Sequence, residues 1–438
     1  MMKVLKFGGT SVGRPERMKQ VAEIIGSIKG RKMVVLSAVS GNTNMLVSIS
    51  EKCELGDQKG ALAQVKELRK VFDPFLDQLY ENKEIQQDTE KYIDQVISDI
   101  EGLVDQPYSQ QVHKMVVVQG ELISTRMFTN YLKDQGEDVA LLMAQDFMTL
   151  DENDEPDMEM IGKKLNHLLG KTSAKVIITQ GFITRNAAGG IDNLKRGGSD
   201  YSATIVGSVL KSDEIQIWTD IDGMHNNDPR VVEKTFPLAM LSFEEASELA
   251  YFGAKVLHPT CIVPAQQFGV PVRIKNTMDP VANGTLISNQ SDGEGIKAIA
   301  AKDNITAIKI KSSRMVMAYG FMRRVFEIFE MYKTPIDMIT TSEIAVSLTI
   351  DNNEHLPEIE REISKYGKVE IDKDQTIVCI VGDDIAEKRG LGKQIFKALD
   401  DVPIRMISFG GSRNNISLLI DSSHKKTTLQ RLNALFEK

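Results

Sequence analysis

The chain has 438 residues, 42% of them hydrophobic and 26% charged, with a formal charge of −8 at neutral pH. That length predicts two or three domains, and the acidic balance argues against nucleic acid or an anionic membrane as the main partner. The three cysteines, Cys53, Cys261 and Cys379, stand far apart and form no CxxC pair, so neither a disulfide framework nor a zinc site is indicated. No apolar run is long enough to span a membrane and MMKVLKFGG has no export signal, so a cytoplasmic protein is expected.

In chain order, KVLKF reads as a first strand, a helix follows near Glu16 to Ile28, and MVVLSAV reads as a second strand. Between Ala61 and Val104, residues Val65, Leu68, Phe72, Phe75 and Leu79 recur at spacings of three and four, which predicts a helical insertion covering a sheet edge. MVVVQG, DVALLMA, KVIITQG and EIQIWTD then read as further strands, and the alternation with helical patterns predicts a doubly wound α/β sheet. NGTLISNQSDGEG, Asn283 to Gly295, reads as a linker. Beyond it the pattern is βαββαβ followed by βαββα. The second repeat lacks a strand that IKAIAAKD, Ile296 to Asp303, can supply, so the first repeat is expected to be inserted within the second. The predicted domains are 1–292 and 296–438, with an inserted module at about 305–373 and a second at about 296–303 plus 376–438.

The chemistry concentrates in loops that follow apolar runs. In KFGGTSV, Gly8 and Gly9 suit a concave backbone site for phosphate, because glycine adopts conformations other residues avoid and has no side chain to hold an anion away. Lys6 adds a mobile positive charge. An ordinary tight turn with a surface lysine is the competing reading of KFGG. VVLSAVSGNTN, QGELIST with Glu121, LKRGGSDYSAT with Arg196, Ser199 and Asp200, and IWTDIDGMHNNDPR with Thr219, Asp220 and Arg230 are placed the same way, at strand ends where open α/β sheets bind ligands. GLGK, Gly390 to Lys393, reads as a strand-to-helix turn, and neither a Walker A loop nor a protein-kinase signature is present.

KFGGTSV, VVLSAVSGNTN, GELIST, TQGFI, RGGSDY, WTDIDG, DPR and FGAKVLHP occur in the order seen in aspartate kinases, and SEIAVSLTID and IRMIS resemble the ACT pair of that family. The resemblance spans essentially the whole chain. It implies an amino acid kinase fold, an open, mainly parallel sheet between helices, followed by two ferredoxin-like ACT modules. It also implies transfer of the γ-phosphoryl group of ATP, with Mg2+, to the β-carboxylate of L-aspartate.

By that resemblance Lys6, Gly8, Gly9 and Ser37 form the phosphate cradle, and Asp200 orients the active-site lysines. Thr43, Glu121, Phe182, Arg196 and Ser199 make the aspartate site, Arg196 holding the α-carboxylate and Glu121 the α-ammonium. Thr219, Asp220, Arg230 and Lys255 belong to the nucleotide site, where His225 stands at a position often occupied by tyrosine. Gln119 replaces a frequent histidine, and Ala318 a serine of lysine-sensitive members. An amino acid effector, expected to be lysine, is allotted to Met315, Gly320, Phe321, Met322, Asp337, Ser342 and Glu343. No metal held by protein side chains is expected, and pairing of ACT edges predicts a homodimer or a dimer of dimers. Phosphorylation of glutamate or N-acetylglutamate by the same fold, or a catalytically inactive sensor, are the alternatives.

Overall fold

The computed structural model describes residues 2–195, 197–253, 257–291, 293, 295–312 and 319–436. They divide into two compact units, one of 1–224, 239–243 and 257–290 and one of 225–238, 244–256 and 291–438. Two short segments of the expected first domain thus belong to the second unit.

The first unit contains β1 (Met2–Phe7), β2 (Arg31–Leu36), β3 (Val139–Leu141), β4 (Val176–Gln180), the hairpin β5 (Ile183–Arg185) and β6 (Ile191–Asn193), β7 (Ile215–Thr219), β8 (Met240–Ser242), β9 (Val272–Asn276) and β10 (Thr285–Ser288). Its eight-stranded sheet runs β3-β4-β2-β1-β7-β9-β10-β8. Every pairing is parallel except that of β9 with β10. Strands covered on both faces need apolar residues at successive positions, and β2 and β4 bury nearly every side chain they carry. Because β1, β2, β4 and β7 are parallel neighbours, their carboxyl ends open on one edge of the sheet.

Two expectations are corrected here. MVVVQG is not a strand: it spans the end of the helix Gln110–Val117 and the start of the helix Gln119–Asp134. The Ser109 side chain accepts from the Val112 N–H, and Val112 and Val116 are buried four apart, so the helical period prevails over the short apolar run. Glu121 therefore lies in the first turn of a helix, not at a strand end. The stretch read as a linker contains β10, whose Thr285 and Ile287 are buried while Leu286 and Ser288 are only partly so.

In the second unit one sheet runs β12-β13-β11-β14-β16-β15, from β11 (Gly295–Lys311), β12 (Ile339–Thr341), β13 (Ala345–Ile350), β14 (Lys368–Asp383), β15 (Ile404–Phe409) and β16 (Asn415–Asp421). IKAIAAKD and ITAIKIKS, read as separate strands, form the single strand β11. Its first half, Ala298 to Lys302, pairs with Ile377 to Val381, and its second half, Ala307 to Lys311, pairs with Lys368 to Asp372 and with β13. The break falls at Asn304, where φ is +60° and the register shifts. Each half has its own core, one including Ile308, Val325, Leu348 and Ile359, the other Ile380, Ile395, Leu418 and Leu429. Gly390, φ +79°, opens the helix Leu391–Ala398, so GLGK is a turn into a helix. Among the described residues no helix is long and apolar enough to cross a membrane.

Candidate active site

Lys6 is next to last in β1, with Val35 and Ile217 beside it on the two neighbouring strands. A central strand leaves its lysine no route to solvent except along the strand end, and Lys6 is only 8% exposed. Its Nζ lies 2.6 Å from Asp200 Oδ1, in the first turn of the helix Gly198–Val209. The glycines behind it are required by space. A Cβ on Gly9 would stand 2.9 Å from the Ala38 carbonyl oxygen, and one on Gly8 would stand 3.3 Å from Lys6 Nζ. Larger residues would fill the concavity that a phosphate group needs.

The second loop closes against the first and third. Ser37 N–H donates to Phe7 O, and Ser37 Oγ is 2.6 Å from Ser199 Oγ. The Ser124 hydroxyl donates to the Ser37 carbonyl, fastening the helix Gln119–Asp134 beneath the loop. Gly181, at the end of β4, donates to Leu36 O. A Cβ there would meet Ser199 Cβ at 2.3 Å and Ser199 Cα at 2.7 Å. Gly181→Ala is accordingly expected to destabilise the protein by about 1–3 kcal/mol. Urea unfolding would measure it, and an unchanged midpoint would show that Ser199 can move away.

Phe182 follows with φ +67°, a conformation that is strained for an aromatic residue and collects at functional sites. It is held by its N–H donating to Ser202 Oγ and its carbonyl accepting from Leu194 N–H. Gly197 and Gly198, both at positive φ, make the turn that sets Ser199 and Asp200 at the helix start.

Glu121 is 4% exposed; its Oε1 accepts from the Ala38 N–H at 3.3 Å. Its Oε2 has no partner among the described residues. Burial pushes its carboxyl up to about 8, opposed by the backbone N–H of Ala38 and by its own. Thr43 is the second residue of the helix Asn42–Glu54, which starts from the same loop. Thr219, at the end of β7, donates through Oγ1 to Asp220, and its carbonyl accepts from Thr277, whose hydroxyl is 2.8 Å from that of Ser11. The first unit thus gathers Lys6, Gly8, Gly9, Ser37, Glu121, Phe182, Ser199 and Asp200 at strand ends β1, β2 and β4 and the helix starts facing them. Arg196 and Lys255 lie outside the described residues.

His225 and Arg230 belong to the second unit. His225 Nδ1 is 3.1 Å from Thr235 Oγ1. The Arg230 guanidinium makes a bidentate pair with Asp228 two residues earlier, its side chain 74% exposed, and the pair draws the Asp228 carboxyl below its ordinary range. In the same unit Gly320, φ +82°, caps the helix Phe321–Met331, in which Phe321 is buried and Met322 partly so. Asp337 holds the chain's own groups: its Oδ1 is 2.7 Å from Lys302 Nζ and accepts from the Tyr251 hydroxyl at 2.8 Å. Lys302 also reaches Asp351 and lies 4.4 Å from the Tyr251 ring centre. Ser342 closes a turn with Ala345 beside an open groove of about 520 Å³ that includes Lys309, Lys311 and Ser347. Glu343 is exposed, and Met315 and Ala318 lie outside the described residues.

Two participants were not singled out from the sequence. Gly181 sits in the TQGFI stretch, but its contact with Ser199 is a property of the fold. Asn42 lies in the VVLSAVSGNTN stretch, but its burial, 1% exposed, is likewise a property of the fold.

Residues 1–276 match the amino acid kinase family and residues 378–436 match the ACT domain. The chain is 32% identical to lysine-sensitive aspartokinase 3 of Escherichia coli, over 99% of both chains. The chain belongs to the aspartokinase family. The structure of E. coli aspartokinase III with aspartate and ADP superposes on this aspartokinase-family chain with a TM-score of 0.85 at 30% identity, covering 100% of both chains. The structure of the same E. coli enzyme with lysine and aspartate superposes with a TM-score of 0.84 at 31% identity, again over 100% of both. The expected fold, an amino acid kinase domain with ACT modules, is the one found.

Proposed function

We infer that this protein transfers the γ-phosphoryl group of ATP to the β-carboxylate of L-aspartate, giving 4-phospho-L-aspartate, under regulation by its ACT part. The observation that carries this reading is the Lys6–Asp200 pair set among Gly8, Gly9, Ser37 and Ser199, a buried lysine beside glycine backbone. A carboxylate acceptor is already ionised near neutral pH and needs no general base. The protein's part is then positioning and charge stabilisation. Lys6 balances charge that builds up on the transferring group, and Asp200 holds Lys6 in place. Gly8 and Gly9 leave room for phosphate oxygens at the backbone, with Thr219 and Asp220 assigned to the nucleotide. Glu121 takes the substrate's α-ammonium, and Thr43, Phe182, Arg196 and Ser199 complete that site. His225, Arg230 and Lys255 remain candidates for the nucleotide.

ATP supplies the phosphoryl group, and Mg2+ supplies charge neutralisation for it. The magnesium ligands we assign are phosphates and water, the usual arrangement for a nucleotide-borne magnesium ion. Lysine is the proposed effector, supported by the lysine complex of the E. coli enzyme, with Gly320, Phe321, Met322, Ser342 and Glu343 as candidate contacts together with Met315. Asp337 is a further candidate: its Oδ1 is taken by Lys302 and Tyr251, while its Oδ2 has no hydrogen-bond partner among the described residues. A homodimer paired through sheet edges of the ACT part, in the cytoplasm, completes the proposal.

The deciding experiment measures ADP release and hydroxylamine-trapped acyl phosphate with aspartate, glutamate and N-acetylglutamate, each with and without L-lysine. Hydroxamate with aspartate alone, reduced by lysine, is expected. Turnover of glutamate or N-acetylglutamate without aspartate would overturn the substrate assignment, and indifference to lysine would overturn the effector.

A further inference from the structure

Asn42 opens the helix Asn42–Glu54, and neither its Oδ1 nor its Nδ2 has a hydrogen-bond partner among the described residues. Leaving a buried polar group unpaired costs free energy that an apolar side chain of similar shape would avoid. Leu46, one turn further along the same helix, shows what such a position carries when only packing matters. Glu121 repeats the pattern, with Oε1 on the Ala38 N–H and Oε2 unpaired. Gly120, the residue before Glu121, faces Asn42: a Cβ there would lie 2.9 Å from Ala38 Cβ and 3.8 Å from Asn42 Cβ. Two buried side chains with three unpaired polar atoms therefore lie on the same loop, Glu121 at Ala38 and Asn42 where the loop runs into its helix.

We propose that Asn42 is a positioning residue for the ammonium group of the substrate amino acid, acting through Glu121. This rests on the assignment of Glu121 to that ammonium. A carboxamide can serve a carboxyl neighbour in both of its states: Oδ1 accepts from the O–H of the neutral acid, and Nδ2 donates to the carboxylate. When the ammonium binds, Glu121 gives its proton to solvent and keeps the electron pair. Nδ2 then donates to Oε2 and holds the carboxylate toward the ammonium. An apolar residue at position 42 could do neither.

The test compares the full-length protein with its Asn42→Leu, Asn42→Asp and Glu121→Gln variants, following thermal unfolding, kcat, and the KM values for aspartate and ATP between about pH 6 and 9. Asn42→Leu is expected to keep or raise Tm, keep the KM for ATP, and raise the KM for aspartate about tenfold, the loss of one hydrogen bond to a charged group. Asn42→Asp sets a second carboxyl beside Glu121 and is expected to move the pH below which the aspartate KM rises to a higher value. A wild-type aspartate KM in a folded Asn42→Leu overturns the proposal. Should that variant fail to fold, an unmoved pH profile in Asn42→Asp overturns it. A wild-type aspartate KM in Glu121→Gln overturns the assignment of Glu121 and the proposal with it, whereas a raised KM there beside an unaffected Asn42→Leu overturns the role of Asn42 alone.

Discussion

Replacing Lys6 by alanine is expected to lower kcat by about 10²–10³-fold, the range found when one group stabilising a transition state is removed. The Lys6 ammonium is 2.6 Å from Asp200, and the side chains of the pair are 10% and 20% exposed. Removing one partner of a mostly buried ion pair leaves the other carboxylate uncompensated, so a loss of stability accompanies the loss of rate. The two are separable. Lys6→Met with Asp200→Asn removes both charges while keeping volume, and should restore much of the unfolding temperature but none of the rate. If the double variant regains turnover together with Tm, Lys6 is a packing residue and the phosphate cradle has to be assigned elsewhere.

The KM for aspartate is expected to rise as the pH falls below about 8, approaching tenfold per unit and reaching about fiftyfold between pH 8 and pH 6. Burial raises the Glu121 carboxyl from its ordinary 4.5 to about 8. In the proposed assignment the substrate's ammonium binds the ionised form, whose population falls by about a factor of ten for each unit well below that value. The same displacement makes stability depend on pH in the opposite sense from an ordinary salt-bridged carboxylate. Because the folded state holds this proton more tightly than the unfolded chain, the contribution is present in full below pH 4.5 and is lost as the pH rises through about 8. Glu121→Gln should flatten both dependences. A wild-type KM that stays constant from pH 8 to pH 6 would show that Glu121 does not meet the ammonium.

Much of the fold is legible because β1, β2, β4 and β7 are largely covered on both faces and so appear in the sequence as short, mainly apolar runs. The same rule misleads at MVVVQG, where four apolar residues suit a buried helix as well as a buried strand and only Ser109 and the spacing of Val112 and Val116 separate the two. β10 is hidden by its neighbours, since Thr285 and Ser288 read as loop residues until β8 and β9 lie beside them. Within the site, paired glycines mark Lys6 and Asp200, because close backbone approach leaves a compositional trace. Burial of a polar side chain leaves none, which is why Asn42 passes unnoticed and the upward displacement of the Glu121 carboxyl cannot be read from its letter. Arg230 illustrates the reverse: a guanidinium that suits a phosphate is already paired with Asp228.

The long strands β11 and β14 carry a consequence for how the regulatory half holds together. Each contributes one half to the outer module and the other to the inserted one, so the covalent backbone passes between two hydrophobic cores without an intervening loop. Neither module can be excised, swapped or lost to a frayed end without breaking a central strand of its neighbour. Opening of either core withdraws ladder hydrogen bonds from the edge of the other, which makes the pair a single cooperative folding unit despite its two cores. A disturbance at one end of β11 reaches the other through the rise of one continuous strand, by way of the register shift at Asn304.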